Sequence, residues 1–121
     1  MGKELGHGSF GSVYEATQKA TNMKVAIKTI KKKKLEQDEV YMDLMIQELE
    51  VLQKTDHPNI TRVFELLEDD KNFYVVMEYI GGGDLMARVS TLRKFTENTA
   101  ASVIHQVLLA INYMHKQNVC H

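Results

Sequence analysis

The sequence predicts an α+β fold: a strand-rich half carrying one helix, a glycine joint near residue 81, and a helical remainder. Three observations carry this. Residues 23–30, MKVAIKTI, alternate as a strand does, with Val25 and Ile27 on one face and Ala26, Lys28 and Ile30 on the other. Gly81, Gly82 and Gly83 then break the pattern with three residues that lack a Cβ. Beyond them Ala100, Val103, Ile104, Val107, Leu108, Ile111 and Met114 recur at helical spacing.

The elements follow in order. Residues 6–13 read GHGSFGSV, a glycine-rich turn, and Ser12 to Ala16 alternate around Val13 and Tyr14 as a strand. Lys31 to Lys34 read as a solvated loop. Over 38–54 the spacing becomes helical, with Tyr41, Leu44, Met45, Leu49 and Leu52 as the apolar stripe. The single proline stands in DHPNI (56–60), a turn that closes the helix and in which His57 is a packed residue. Residues 60–68 and 73–80 form a hairpin across the polar turn DDKN. Asp84 caps a short helix and Thr96 a long one. The long helix ends with His115 and Lys116 at the negative end of its dipole and Asn118 as a left-handed cap.

Composition narrows the function classes. With 121 residues the chain is one ordinary domain or part of a larger one, and 44% hydrophobic against 26% charged residues reads as soluble and globular. A net charge of −1 offers no reason to expect nucleic acid or a membrane surface as the main partner. Cys120, the lone cysteine, cannot form an internal disulfide, which favours an intracellular, cytoplasmic setting; it reads as a small core residue. No apolar run reaches the length of a membrane span, and the N-terminus lacks a signal-peptide core. Gly2 does not make a myristoylation motif, because Gly6 stands where Ser or Thr is required. The five histidines lack metal-ligand spacing, so no metal site is expected within the chain. The methionines read as core filler, Met77 excepted.

What the glycine loop approaches has two nucleotide answers. A dinucleotide fold needs a buried strand before the loop and a helix after it. The preceding MGKEL is too polar for such a strand, and a helix opening at Ser12 has little room before the strand near residue 23. The other answer is a hairpin folded over ATP phosphates, with an ordinary glycine turn as the bland third option. Lys28 weighs on this choice, since alternation puts it beside Ala26 on the face that should be covered. Glu48 falls within the arc of Leu44, Met45, Leu49 and Leu52, and a buried carboxylate is costly unless paired. An ion pair between Lys28 and Glu48 is the expected outcome.

GHGSFGSV, VAIK (25–28), Glu48 on the following helix and VMEYIGGGDL (76–85) stand in the order of the protein kinase motifs, and the whole chain resembles that family. The resemblance implies a small lobe of antiparallel sheet plus one helix over 1–80, its first strand clipped. It places the hinge end and first helices of a truncated large lobe over 81–121, with His121 as the catalytic-loop histidine. Gly6, His7, Gly8, Ser9, Phe10 and Gly11 would close over ATP, with Val13 covering the base and Ala26 beside it. Lys28, held by Glu48, would meet the α- and β-phosphates. Met77 would stand beside the adenine, backbone groups of Glu78 and Ile80 would bond its edge, and Asp84 would face the ribose. The chain is most similar to the calcium/calmodulin-dependent and calcium-dependent Ser/Thr kinases. That similarity implies protein substrates with Ser or Thr near basic residues, and admits calcium or calmodulin-type regulation not encoded here. Magnesium would serve the complete domain through ligands outside this chain, so these 121 residues alone are expected to be inactive. The alternative is a kinase-like module that binds nucleotide or scaffolds partners without catalysis.

Overall fold

Five antiparallel strands make one sheet in the order β1-β2-β3-β5-β4: β1 Glu4–His7, β2 Gly11–Thr17, β3 Lys24–Lys31, β4 Val63–Glu68 and β5 Asn72–Glu78. The structure is a computed structural model. It describes residues 2–7, 11–35, 39–92 and 95–120, excluding the side chains of Lys34, Glu39, Val40 and Tyr41. The helices are α1 Lys32–Leu35, α2 Glu39–Lys54, α3 Leu85–Thr91 and α4 Glu97–Lys116. The chain divides into two compact units, residues 1–56 with 61–79, and residues 57–60 with 80–121.

In the first unit, register decides which residues share a face. Val13, Lys28 and Val75 stand opposite one another across β2, β3 and β5, as do Gly11, Ile30 and Phe73. Directly opposed residues point the same way, so this face carries Val13, Lys28, Ile30, Phe73 and Val75. It is the face α2 covers: Leu49 packs with Ile30, Val63, Phe73 and Val75, and Val75 is 1% exposed.

The covering stripe of α2 differs from the expected one. Met42, Met45, Ile46 and Leu52 flank Leu49 against the sheet, while Leu44 is 58% exposed. Tyr41 lies outside the described side chains. The helix is therefore rolled toward Met42 and Ile46, which brings their larger apolar area under cover. A second difference is α1, where a solvated loop was expected. Leu35 is the reason, because it sits 1% exposed in the core and draws the preceding lysines into one helical turn. Lys32 donates to Glu68 at 2.8 Å, with its ammonium 4.7 Å from the centroid of the Phe73 ring.

The β4–β5 hairpin is closed by Asp69. Its Oδ1 accepts from the backbone N–H groups of Lys71 (2.8 Å) and Asn72 (2.7 Å), and its Oδ2 from the Tyr74 hydroxyl (2.7 Å). Donation from Tyr74 and then from these backbone groups lowers its pKa from 3.8 to about 2. A depressed carboxylate stabilises the fold fully above its unfolded pKa, and the gain disappears as pH falls through the folded one. The hairpin should lose this support between about pH 4 and pH 2. Carboxyl-carbon NMR should give an Asp69 midpoint near 2, moved up toward 3.8 in Tyr74→Phe; an unmoved midpoint would remove the hydroxyl from the cause.

In the second unit both expected helix caps form. Asp84 accepts from Ala87 N–H at 2.7 Å, and Thr96 accepts from Thr99 N–H at 3.2 Å. Asn118 is left-handed at φ 57° just past α4. Ala110 is buried, whereas Ile104, Val107 and Leu108 of the predicted stripe are exposed. His57 is half-buried; its Nδ1 accepts from Asn59 N–H and its ring lies 5.1 Å from that of Tyr113. Cys120, expected in a core, is exposed. So are Met23 and Met86, which fill no core. No described helix is long and apolar enough to cross a membrane.

Candidate functional site

The strands that flank the glycine loop, β1 and β2, pair antiparallel. His7 pairs with Ser12 across β1 and β2, and His7 Nδ1 lies 2.8 Å from Ser12 Oγ. From sequence Ser12 reads as a strand residue or a helix start, and nothing in its alternation marks it as a partner of His7. His7 also lies 3.6 Å from Glu4. Gly8, Ser9 and Phe10, the expected loop tip, lie outside the described residues.

The two described glycines of the motif differ physically. A Cβ on Gly6 would meet nothing within 4 Å, so its backbone borders open space. A Cβ on Gly11 would sit 1.6 Å from the Thr29 carbonyl oxygen. Gly11 is thus required by close approach of β2 to β3, before any ligand is considered.

Beyond the hairpin, the helix-covered face presents Val13, then Lys28 opposite it, then Ala26 two residues before Lys28 and opposite Met77. Ala26 is 6% exposed, Val13 and Met77 are half-buried, and Lys28 is exposed. The sheet therefore brings four of the expected residues onto one face, which strand alternation alone had indicated for Ala26 and Lys28. Glu78 ends β5; its N–H donates to Arg62 O at 2.9 Å, and its Oε2 accepts from Arg62 N–H at 3.3 Å. With that N–H engaged, only the Glu78 carbonyl can serve a ligand edge. Ile80 and Asp84 belong to the second unit, where Ile80 is exposed and Asp84 spends one carboxylate oxygen on its helix cap.

The expected Lys28–Glu48 ion pair is not formed. Ion pairs among the described residues include Glu4–His7, Glu15–Lys24 and Lys32–Glu68 but not this one, and Glu48 is exposed on α2. The roll of the helix explains this. With Met42, Ile46 and Leu49 facing the sheet, Glu48 stands roughly 100° around from the centre of the buried face, at its margin. The carboxylate thus meets water and needs no buried partner.

The protein kinase domain model matches residues 1–121. The chain belongs to the protein kinase domain family. It is 37% identical over 121 residues to "Hormonally up-regulated neu tumor-associated kinase homolog A" of Xenopus laevis, covering all of this chain and 18% of that protein. It is 33% identical over 117 residues to "Calcium-dependent protein kinase 3" of Plasmodium yoelii yoelii, covering 97% of this chain and 21% of that one. The crystal structure of Rad53 1-466 in complex with AMP-PNP superposes with a TM-score of 0.85 at 36% identity, over all of this chain and 31% of the Rad53 chain. The chain thus spans about a fifth of the two relatives' length and about a third of the Rad53 chain. Its sheet with helices is the kinase small-lobe fold, and its relatives are Ser/Thr kinases that include calcium-dependent ones.

Proposed function

We propose that the chain is the ATP-binding portion of a Ser/Thr protein kinase, with the nucleotide lying along the helix-covered face of the sheet. The observation that carries this is the exposed Lys28 on the same sheet face as the apolar Val13, Ala26 and Met77. Apolar groups suit the flat faces of an adenine, and a solvated cation beside them suits phosphates. The open space at Gly6 leaves the hairpin backbone free to approach an anion. The AMP-PNP held by Rad53 supports the same ligand chemistry.

In this reading the residues act as follows. Val13 and Ala26 enclose the base, Met77 limits its depth, and the Glu78 carbonyl accepts a hydrogen bond from it. Ile80 N–H is assigned to the same base edge, and the second carboxylate oxygen of Asp84 to the sugar. His7, Gly8, Ser9, Phe10 and Gly11 form the flap over the phosphates with Gly6, and Lys28 neutralises charge on them. Glu48 becomes a partner of Lys28 only if α2 rolls back. The substrate hydroxyl oxygen bonds to the γ-phosphorus, the bond to the β–γ bridging oxygen breaks, ADP leaves, and the hydroxyl proton passes to a base.

Magnesium accompanies ATP in this chemistry. Among the described residues no three His, Cys, Asp or Glu side chains converge on a metal position, so no step here runs through one. The kinase motifs that hold magnesium and orient the acceptor do not occur in residues 1–121. The 121 residues by themselves are accordingly expected to transfer no phosphate.

One observation favours a second reading, a kinase-like module that binds nucleotide or scaffolds without catalysis: Glu48 is exposed and apart from Lys28. Labelled ATP, magnesium and a basic Ser-containing peptide separate the two. The full-length protein should label the peptide, and the 121-residue chain should not exceed its own Lys28→Met control. Nucleotide binding without transfer in the full-length protein would select the scaffold. Transfer by the 121-residue chain would overturn the assignment of roles.

A further inference from the structure

The opposite face of the sheet holds a groove the nucleotide reading does not use. An antiparallel sheet with helices on one side is expected to be polar on the other. Here Val25 and Ile27 of β3 and Val76 of β5 form an apolar floor, and Val25 is only 4% exposed despite lying on the uncovered face. The depression is about 390 Å³, with Phe64 and Glu65 along its wall.

A bulge in β4 builds that wall. Val63 pairs with Met77 and Glu65 with Val76, so two steps along β4 match one along β5. The extra residue lets Phe64 and Glu65 both border the groove, where strict alternation would turn one of them away. Glu65 is the one charged residue of the described lining. Its carboxylate makes no hydrogen bond or ion pair among the described residues. The features therefore stand in sequence: an aliphatic floor, an aromatic ring, and a free carboxylate at the rim.

We propose that this groove docks an extended segment of a partner protein through an arginine, with an aliphatic side chain beside it. The methylene stem covers Val25, Ile27 and Val76, and the guanidinium stacks on Phe64 while donating to both Glu65 oxygens. Arginine fits better than lysine because a planar fork serves ring and carboxylate together, whereas an ammonium serves the carboxylate alone. The floor extends to Ala16 and Met23, which leaves room for the neighbouring aliphatic side chain.

The test uses full-length protein and a fluorescein-labelled peptide, Gly-Ala-Leu-Arg-Ala-Leu-Ala, which has no hydroxyl to phosphorylate. Fluorescence anisotropy should show saturable binding, weakened when the arginine is replaced by lysine and lost when it is replaced by glutamate. Glu65→Gln should weaken the arginine peptide about tenfold or more. Glu65→Arg should invert the preference to the glutamate peptide while leaving phosphotransfer unchanged. No binding up to about 1 mM, or equal binding to wild type and Glu65→Arg, would overturn the proposal. So would light scattering that shows a dimer dispersed by Glu65→Arg, because the groove would then belong to a second copy. The groove and Lys28 lie on opposite faces, so either result leaves the nucleotide reading intact.

Discussion

Lys28→Met in the full-length protein is expected to lower the phosphotransfer rate by at least on the order of 10²–10³-fold, while ATP affinity falls by less than about tenfold. The inequality comes from where binding energy originates. In the proposed site the base would be enclosed by Val13, Ala26 and Met77, which share a sheet face, and bonded by main-chain groups that the substitution leaves in place. In that proposal Lys28 instead supplies charge to phosphates, and charge placed where it develops matters most in the transition state. Methionine retains the stem and removes the ammonium, so the sheet should fold unchanged. Single-turnover transfer and equilibrium titration with an ATP analogue measure the two quantities separately. Equal rates for mutant and parent would take Lys28 out of the mechanism, and equal losses in rate and affinity would make its contribution uniform binding.

Gly11→Ala is expected to be the most damaging single-methyl addition in the first unit. Its Cβ would lie 1.6 Å from Thr29 O and 2.8 Å from Thr29 C, both backbone atoms of the adjacent strand. No rotamer relieves that overlap, so β2 and β3 must separate at the Gly11–Ile30 pair. Ile30 belongs to the core that α2 covers, so separation also loosens packing there. The cost should be about 3 kcal/mol, at the upper end for overpacking. The unfolding temperature should fall by more than about 10 °C. Gly6→Ala is the control, because its methyl would enter open space; it should leave thermal unfolding unchanged within about 0.5 kcal/mol. Its effect should appear in ATP binding instead. Similar melting temperatures for the two variants would show that the strand approach at Gly11 is not what requires glycine.

These two residues mark how much was legible beforehand. The alternation of MKVAIKTI put Lys28 and Ala26 on one face of a strand, and β3 has them there. That inference needs only the two-residue period of an extended chain. Asp84 and Thr96 were legible as caps for a similarly local reason, since a cap bonds an N–H two or three residues on. The hairpin over DDKN and the long helix from Thr96 likewise follow from short-range signals. The family followed from the order of motifs, which no packing can alter.

The tertiary structure decided everything that depends on which of two apolar arcs wins. Leu44 and Glu48 read as part of the buried stripe because a helical wheel cannot know what stands across from it. Leu35, Met42 and Ile46 joined Leu49 against Ile30, Phe73 and Val75, and that choice turned Leu44 and Glu48 outward. Gly11 read as a ligand-facing glycine, and its closest neighbour is a carbonyl 18 residues away in sequence. The bulge that turns Phe64 and Glu65 to one side had no signal in ITRVFELLE, because a bulge is a mismatch between two strands. Sequence by itself determined the elements other than α1, the two caps, the family and the face of Lys28, all consequences of local geometry or motif order. The roll of α2, the approach of β2 to β3 and the outer groove arise only from pairing distant segments, where total buried area and strand register outweigh any one residue's preference.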